Sequence, residues 1–138
     1  MNRKIFVYGS LRKGFHNHCF LTGPGVRELG PAMTDELYAM YAERIPYVVK
    51  DEPVTPIRGE VYAVDPETLE RLDSLEEHPR WYRRQEITVT LDNGESVTAW
   101  LYFCPTPRGV PVPSGDYSDH QRPQAPRQRL FEPRQAFA

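Results

Sequence analysis

Two segments in which apolar residues alternate with other residues flank Asp92-Asn93-Gly94, and they constrain the fold of this chain more than any other feature. In residues 85–91 (QEITVTL) and again in residues 96–103 (SVTAWLYF), every second side chain points to the same face of an extended backbone. Such alternation is typical of a strand with one buried face, and Asn-Gly is a favoured hairpin turn. The sequence therefore predicts an antiparallel β-hairpin.

Other strand-like segments outnumber the helical ones. Residues 4–8 have the pattern of a buried strand, and residues 59–64 (GEVYAV) form a second such run. Residues 29–56 are mixed, with short strand candidates at 36–40 and 47–49. Because strands and helices never alternate regularly, we expect an α+β fold, a small mixed and mostly antiparallel β-barrel flanked by one or two helices.

Length, charge and cysteine usage narrow the class of protein. The 138 residues are enough for one domain with a core, and the net charge of −2 argues against nucleic-acid or membrane partners. Cys19 and Cys104 are too few for a disulfide framework and fit reduced thiols. The apolar run near the start is too short for a signal peptide or a membrane span. We therefore expect a cytoplasmic protein.

The composition changes after Cys104. Seven of the 14 prolines lie between Pro105 and Pro133, and from residue 118 the sequence is mostly Gln, Arg and Pro. Such a segment contains too little apolar surface to form a core. We predict a domain over residues 1–117 and a flexible tail over residues 118–138.

The clearest helix start in the chain is Asp65-Pro66. Aspartate is a good N-cap residue, and proline suits the first helical position, where a missing N–H costs nothing. The helix is predicted to cover residues 67–77 and to end before Pro79.

One carboxylate of this helix lies on its apolar side. Leu69, Leu72 and Leu75 define an apolar stripe, and Glu76 lies about 40° from the centre of that stripe, whereas Glu77 falls outside it. Burying a charge is costly, so the site must pair the carboxylate or raise its pKa. A carboxyl group tuned in this way suits general acid–base chemistry.

A structural alternative for Glu76 stays open. At the margin of the stripe, its carboxylate can reach water or pair with a nearby arginine, and the candidates are Arg80, Arg83 and Arg84.

The first strand is followed by Gly9-Ser10, within residues 7–11 (VYGSL). Glycine permits close approach of a ligand, and successive backbone N–H groups at such a bend suit a carboxylate or a developing oxyanion. The alternative is an ordinary turn, which Gly-Ser after a strand usually forms.

Metal and thiol chemistry are less well supported. His16, His18 and Cys19 lie close together, but zinc needs further ligands at recognisable spacing, so we expect no metal. Cys104 and His78 are weighed as a nucleophilic pair. Because Cys104 ends a strand, a packed thiol is the better interpretation.

Several segments together resemble the γ-glutamylcyclotransferase-like, or AIG2-like, family. The opening segment is residues 6–14 (FVYGSLRKG), followed by Asn17-His18. The other segments follow in the same order and are residues 45–49 (IPYVV), 59–64, 72–84 and 114–117 (SGDY). Within the family, the chain most resembles small bacterial members and the γ-glutamylamine cyclotransferases.

The resemblance implies a fold and a site. The family folds as a small mixed β-barrel flanked by helices. The loop matching Tyr8, Gly9, Ser10 and Leu11 is implied to bind the γ-glutamyl group, and the glutamate matching Glu76 to act as general acid and base. As further pocket-lining candidates we name the tyrosines of the later segments, Tyr82 and Tyr117.

The implied activity is conversion of a γ-glutamyl amine or related compound to 5-oxoproline and free amine. The nucleophile is the substrate's own α-amino group, so no cofactor is expected, and the expected partner is a small-molecule γ-glutamyl substrate. One alternative is a non-catalytic module that binds a small carboxylate or a partner protein. Another keeps the chemistry but changes the leaving amine, for example in a biosynthetic intermediate.

Overall fold

The computed structural model describes residues 3–15, 17–78, 80–106 and 108–120. Three features weighed in the sequence lie outside the described residues, namely His16, Pro79 and the tail from residue 121 onward.

The described chain contains eight strands, two α-helices and one 3-10 helix. The strands are β1 (Arg3–Val7), β2 (Val26–Thr34), β3 (Ala39–Ala42), β4 (Pro46–Val49), β5 (Arg58–Val64), β6 (Arg83–Leu91), β7 (Ser96–Phe103) and β8 (Val110–Pro111). The helices are the 3-10 helix His18–Leu21, α1 (Pro66–Glu76) and α2 (Tyr117–His120).

Five strands close into a mixed barrel in the order β1-β5-β2-β6-β7. Neighbouring strands are antiparallel except for β1 and β7, which are parallel and complete the closure. A separate three-stranded sheet has the order β4-β3-β8. The predicted fold class, a small and mostly antiparallel mixed barrel flanked by helices, is therefore confirmed.

The hairpin and the first helix form as the sequence predicts. In β6 and β7, Ile87 pairs with Ala99 and Val89 with Val97, around the turn that contains Gly94. At the start of α1, the Asp65 side chain accepts the amide hydrogen of Thr68 at 2.9 Å. The N-cap interpretation is thus confirmed.

The sequence pattern predicts no strand over residues 26–34, and the structure corrects this with β2. Its periodicity is broken by a bulge between Glu28 and Gly30, where Gly30 has a φ of +126°. Pro31 follows directly and resembles a strand breaker. Pairing with β5 and β6 holds the segment extended, which is a tertiary effect that local propensity does not contain.

Neither described helix has the length and apolar character of a membrane-spanning segment. The compartment of the protein stays a prediction.

Candidate functional site

The loop after β1 is compact and largely inaccessible to solvent. The four residues predicted to bind substrate are all buried, namely Tyr8, Gly9, Ser10 and Leu11. The amide of Arg12 donates to the Gly9 carbonyl at 3.0 Å, which closes a tight turn. The Tyr8 hydroxyl donates to the Tyr102 carbonyl at 2.7 Å, so the start of the loop is fixed to the end of β7.

The 3-10 helix holds the other side of this loop. Asn17 donates its amide to the Ser10 carbonyl at 3.0 Å and its side-chain Nδ2 to the Ser10 hydroxyl at 2.9 Å. Nδ1 of His18 lies 2.9 Å from the Leu11 carbonyl. Because a carbonyl oxygen only accepts, Nδ1 of His18 is the donor in this contact.

Glu76, the last residue of α1, faces the core. Its side chain has 0% exposure, and Leu69 and Leu72 on the same helix face are also buried. The following residue, Glu77, is exposed and has a left-handed backbone with a φ of 54°, which ends the helix. The alternative in which Glu76 reaches water is therefore wrong.

Arg84, one of the three arginines weighed as partners of Glu76, is engaged elsewhere. Its Nε and Nη2 donate to the two Asp73 carboxylate oxygens at 2.7 Å and 2.9 Å. The Tyr102 hydroxyl donates to the same carboxylate at 2.6 Å. Burial acts to raise the pKa of Asp73, but these hydrogen bonds outweigh it and the pKa is lowered.

Glu76 is electrostatically coupled to Tyr8, the first residue of the loop. Burial is the main cause that raises the pKa of Tyr8, and the negative charge of Glu76 raises it further. The same charge also raises the pKa of Tyr82, Tyr102 and Cys104, in each case after the effect of burial. The charge of Glu76 is therefore felt by three buried tyrosines and a buried thiol.

Tyr82 is joined to Glu76 through the backbone as well. Its amide donates to the Glu76 carbonyl at 3.3 Å, and its ring lies nearly parallel to that of Tyr47, with centroids 6.4 Å apart. Within the described residues, nothing hydrogen-bonds to the buried Tyr82 hydroxyl.

Tyr117, the other tyrosine predicted to line the pocket, lies against the far end of the loop. Its ring centroid is 5.8 Å from that of Phe15, and its hydroxyl donates to the Arg44 carbonyl at 2.6 Å. Burial raises the pKa of Tyr117 to about 12. Tyr82 thus neighbours Glu76, whereas Tyr117 supports the loop, and the binding roles of both stay predictions.

The thiol of Cys104 is a poor candidate nucleophile. It is 3% exposed, burial raises its pKa, and Sγ donates to the Thr106 carbonyl at 3.3 Å. A raised pKa favours the neutral thiol over the nucleophilic thiolate.

Sequence analysis missed one residue of this region, Glu60 of β5. It is only 9% exposed, and its carboxylate contacts the loop between β1 and the 3-10 helix. The available signal was a charged residue within the otherwise apolar run GEVYAV. Glu60 therefore holds the loop, whereas Glu76 is a fully buried carboxyl group, the kind of group that general acid–base chemistry uses.

Comparison with known proteins places the whole described domain in one family. The family model described as gamma-glutamyl cyclotransferase, AIG2-like, matches residues 5–119. A protein of Methanocaldococcus jannaschii that is provisionally named a γ-glutamylcyclotransferase is 50% identical to this chain over 120 residues. That alignment covers 85% of this chain and 97% of the relative.

Two vertebrate proteins extend the likeness. γ-Glutamylaminecyclotransferase C of Danio rerio is 38% identical over 101 residues, which cover 67% of this chain and 66% of the relative. The crystal structure of a mouse AIG2-like protein superposes with a TM-score of 0.73 at 26% identity. It covers 94% of this chain and 99% of the mouse chain, so the two share their fold throughout.

Proposed function

Because the chain belongs to the γ-glutamyl cyclotransferase, AIG2-like family, we propose that it converts a γ-glutamyl amine, or a related γ-glutamyl compound, to 5-oxoproline and a free amine. The substrate's own α-amino group attacks its γ-carbonyl carbon and closes a five-membered ring. The observation that carries this proposal is the full burial of Glu76, whose charge acts on Tyr8 at the start of the loop.

Glu76 serves as the general base and then as the general acid. Its carboxylate takes a proton from the substrate's α-ammonium group, which frees the amine lone pair for attack on the γ-carbonyl. The bond between the γ-carbonyl carbon and the leaving nitrogen then breaks, and Glu76 returns the proton to that nitrogen. The ring nitrogen, which carries two hydrogens after the attack, loses one of them to the released amine, which departs as an ammonium ion. The carboxyl group ends the cycle in its initial state, so no net proton is consumed.

Backbone donors of Tyr8, Gly9, Ser10 and Leu11 are proposed to hold the substrate's α-carboxylate or the developing oxyanion. The burial of all four residues supports this role, because hydrogen bonds to a charge are stronger where water is excluded. Folding the substrate so that amine and carbonyl meet is the protein's main contribution. Since the nucleophile is already part of the substrate, the reaction needs no cofactor.

The experiment is an assay in water enriched in 18O, with a panel of γ-glutamyl amines and γ-glutamyl amino acids. Ring closure predicts equal amounts of 5-oxoproline and free amine, with no 18O in the 5-oxoproline. Hydrolysis would instead give glutamate that carries 18O in its γ-carboxyl group. Binding of 5-oxoproline without turnover of any substrate would favour a non-catalytic carboxylate-binding module, and neither binding nor turnover would favour a protein-interaction module.

A further inference from the structure

The two ends of the loop over residues 8–14 meet at one residue, Glu60, through its backbone at one end and its carboxylate at the other. In the β1–β5 ladder, Glu60 is the partner of Val7, the last residue before the loop. Its Oε1 accepts the amide hydrogen of Lys13 at 2.8 Å, near the end of the loop. The Tyr62 hydroxyl donates to the same oxygen at 2.8 Å, which fixes the orientation of the carboxylate.

Arg12, inside the loop, joins Glu60 to the segment that follows β8. Its Nε lies 3.5 Å from Oε2 of Glu60, and its Nη1 donates to Oδ1 of Asp116 at 3.0 Å. Asp116 is held in turn by Ser118, whose amide and hydroxyl donate to Oδ1 at 3.0 Å and 2.6 Å. One guanidinium therefore connects the loop to two carboxylates from distant parts of the chain.

These contacts are shielded from solvent in a way that other charged contacts of the loop are not. The side chains of Arg12 and Glu60 are 13% and 11% exposed, whereas those of the Lys13–Glu28 ion pair are 61% and 40% exposed. Salt and water weaken an exposed pair, but they weaken a buried one much less. The contacts of Arg12 with Glu60 and with Asp116, whose side chain is 24% exposed, are therefore the ones that can fix the shape of the loop.

We propose that Glu60 and Arg12 are positioning residues that hold residues 8–14 in the conformation that binds the γ-glutamyl group, an inference that rests on the proposed function. Neither side chain takes part in the proton transfers. A loop that is already ordered loses less conformational entropy when substrate binds, so binding is tighter. Loss of the contact therefore weakens substrate binding and leaves the chemical steps at Glu76 in place.

The test compares Glu60→Gln with Glu28→Gln, which makes the same chemical change on the exposed partner of the same loop. Amide hydrogen exchange of residues 8–14, followed by mass spectrometry, reports the order of the loop without any substrate. We expect faster exchange in Glu60→Gln, and exchange like that of the unsubstituted protein in Glu28→Gln.

Kinetics with a γ-glutamyl amine supply the second measurement. We expect KM to rise about tenfold in Glu60→Gln, the effect of losing one hydrogen bond to a charged group, with kcat changed by less than about threefold. A variant that lost structure in general would lose kcat as well. Unchanged exchange in Glu60→Gln, or faster exchange with an unchanged KM, would overturn the proposal.

Arg12→Met removes the contact with Glu60 from the loop side, together with the contact with Asp116, and provides a second test if Glu60→Gln does not fold. It is expected to raise KM in the same manner, and normal exchange and KM in this variant would contradict the role of Arg12. If the unsubstituted protein releases no 5-oxoproline, the proposed function fails. In that case the exchange comparison alone still decides whether the two residues hold the loop.

Discussion

The main-chain carbonyl of Glu76 accepts the amide hydrogen of Tyr82 at 3.3 Å, across the turn that ends α1. Glu77 has a left-handed backbone that ends the helix, and the amide of Trp81 donates to the Glu77 carbonyl at 2.8 Å. The end of α1, the buried Glu76 and the buried Tyr82 are thus joined by local backbone hydrogen bonds. The position of the Glu76 carboxyl group therefore depends on how the helix ends.

Glu76→Gln tests the role of this carboxyl group. Glutamine keeps the size of the side chain and cannot exchange protons, so we expect 5-oxoproline release to fall by about 10²- to 10⁴-fold, the usual contribution of a general acid–base residue. Circular dichroism should show an unchanged fold. The matched control is Glu77→Gln, one residue further and exposed, which should keep the activity. Near-normal turnover by Glu76→Gln would remove Glu76 from the mechanism.

The position of Glu76 was predictable because it depends on local rules. The N-cap at Asp65 fixes where α1 begins, and a period of 3.6 residues then fixes which side chains face the core. The coupling between Glu76 and Tyr8 could not be predicted from local patterns, because no local rule states how a helix packs on a barrel. The resemblance to the family supplied that relation as an expectation.

Glu60 was missed for the opposite reason. Its contacts with Arg12 and Lys13 join residues 48 and 47 positions apart, and Arg12 meets Asp116 across 104 positions. Only the closed barrel brings these segments together. A charged residue in an apolar strand indicates that a compensating partner exists, but it does not identify that partner.

Tyr82→Phe and Tyr102→Phe form a pair with opposite expected effects on stability. Among the described residues the Tyr82 hydroxyl has no hydrogen-bond partner, so its removal should leave the free energy of unfolding unchanged or raise it by about 1 kcal/mol. The Tyr102 hydroxyl donates to Asp73 at 2.6 Å, and its removal should lower that free energy by about 2 kcal/mol. Urea unfolding monitored by circular dichroism measures both changes.

The activity of Tyr82→Phe then tests whether this residue lines the pocket. Because Tyr82 neighbours Glu76, a hydroxyl that contacts the substrate should lower kcat/KM by about tenfold when it is removed, the effect of one lost hydrogen bond. Full activity together with unchanged stability would assign Tyr82 to packing alone.

The lowered pKa of Asp73 predicts how the free energy of unfolding depends on pH. Its pKa in the folded protein is lowered from an ordinary value of 3.8, because hydrogen bonds from Arg84 and Tyr102 outweigh the opposing effect of burial. A carboxyl group with a lowered folded pKa contributes stability above its unfolded pKa and loses it as the pH falls through the folded value. We expect Asp73→Asn to lower the free energy of unfolding by about 2 kcal/mol at pH 7. This difference from the unsubstituted protein should shrink as the pH falls below about 4, where Asp73 begins to be protonated in the unfolded chain.

Urea unfolding at a series of pH values between 7 and 2 measures that difference. Glu70→Gln is the matched control, since it removes an exposed carboxylate from the same helix and should change the free energy of unfolding by less than about 0.5 kcal/mol at pH 7. Arg84→Met removes the other partner of the ion pair. In that variant, Asp73→Asn should lower the free energy of unfolding by less than it does alone, because the ion pair is already lost. A difference between Asp73→Asn and the unsubstituted protein that stays constant down to pH 2 would show that packing around Asp73, and not its charge, supplies the stability.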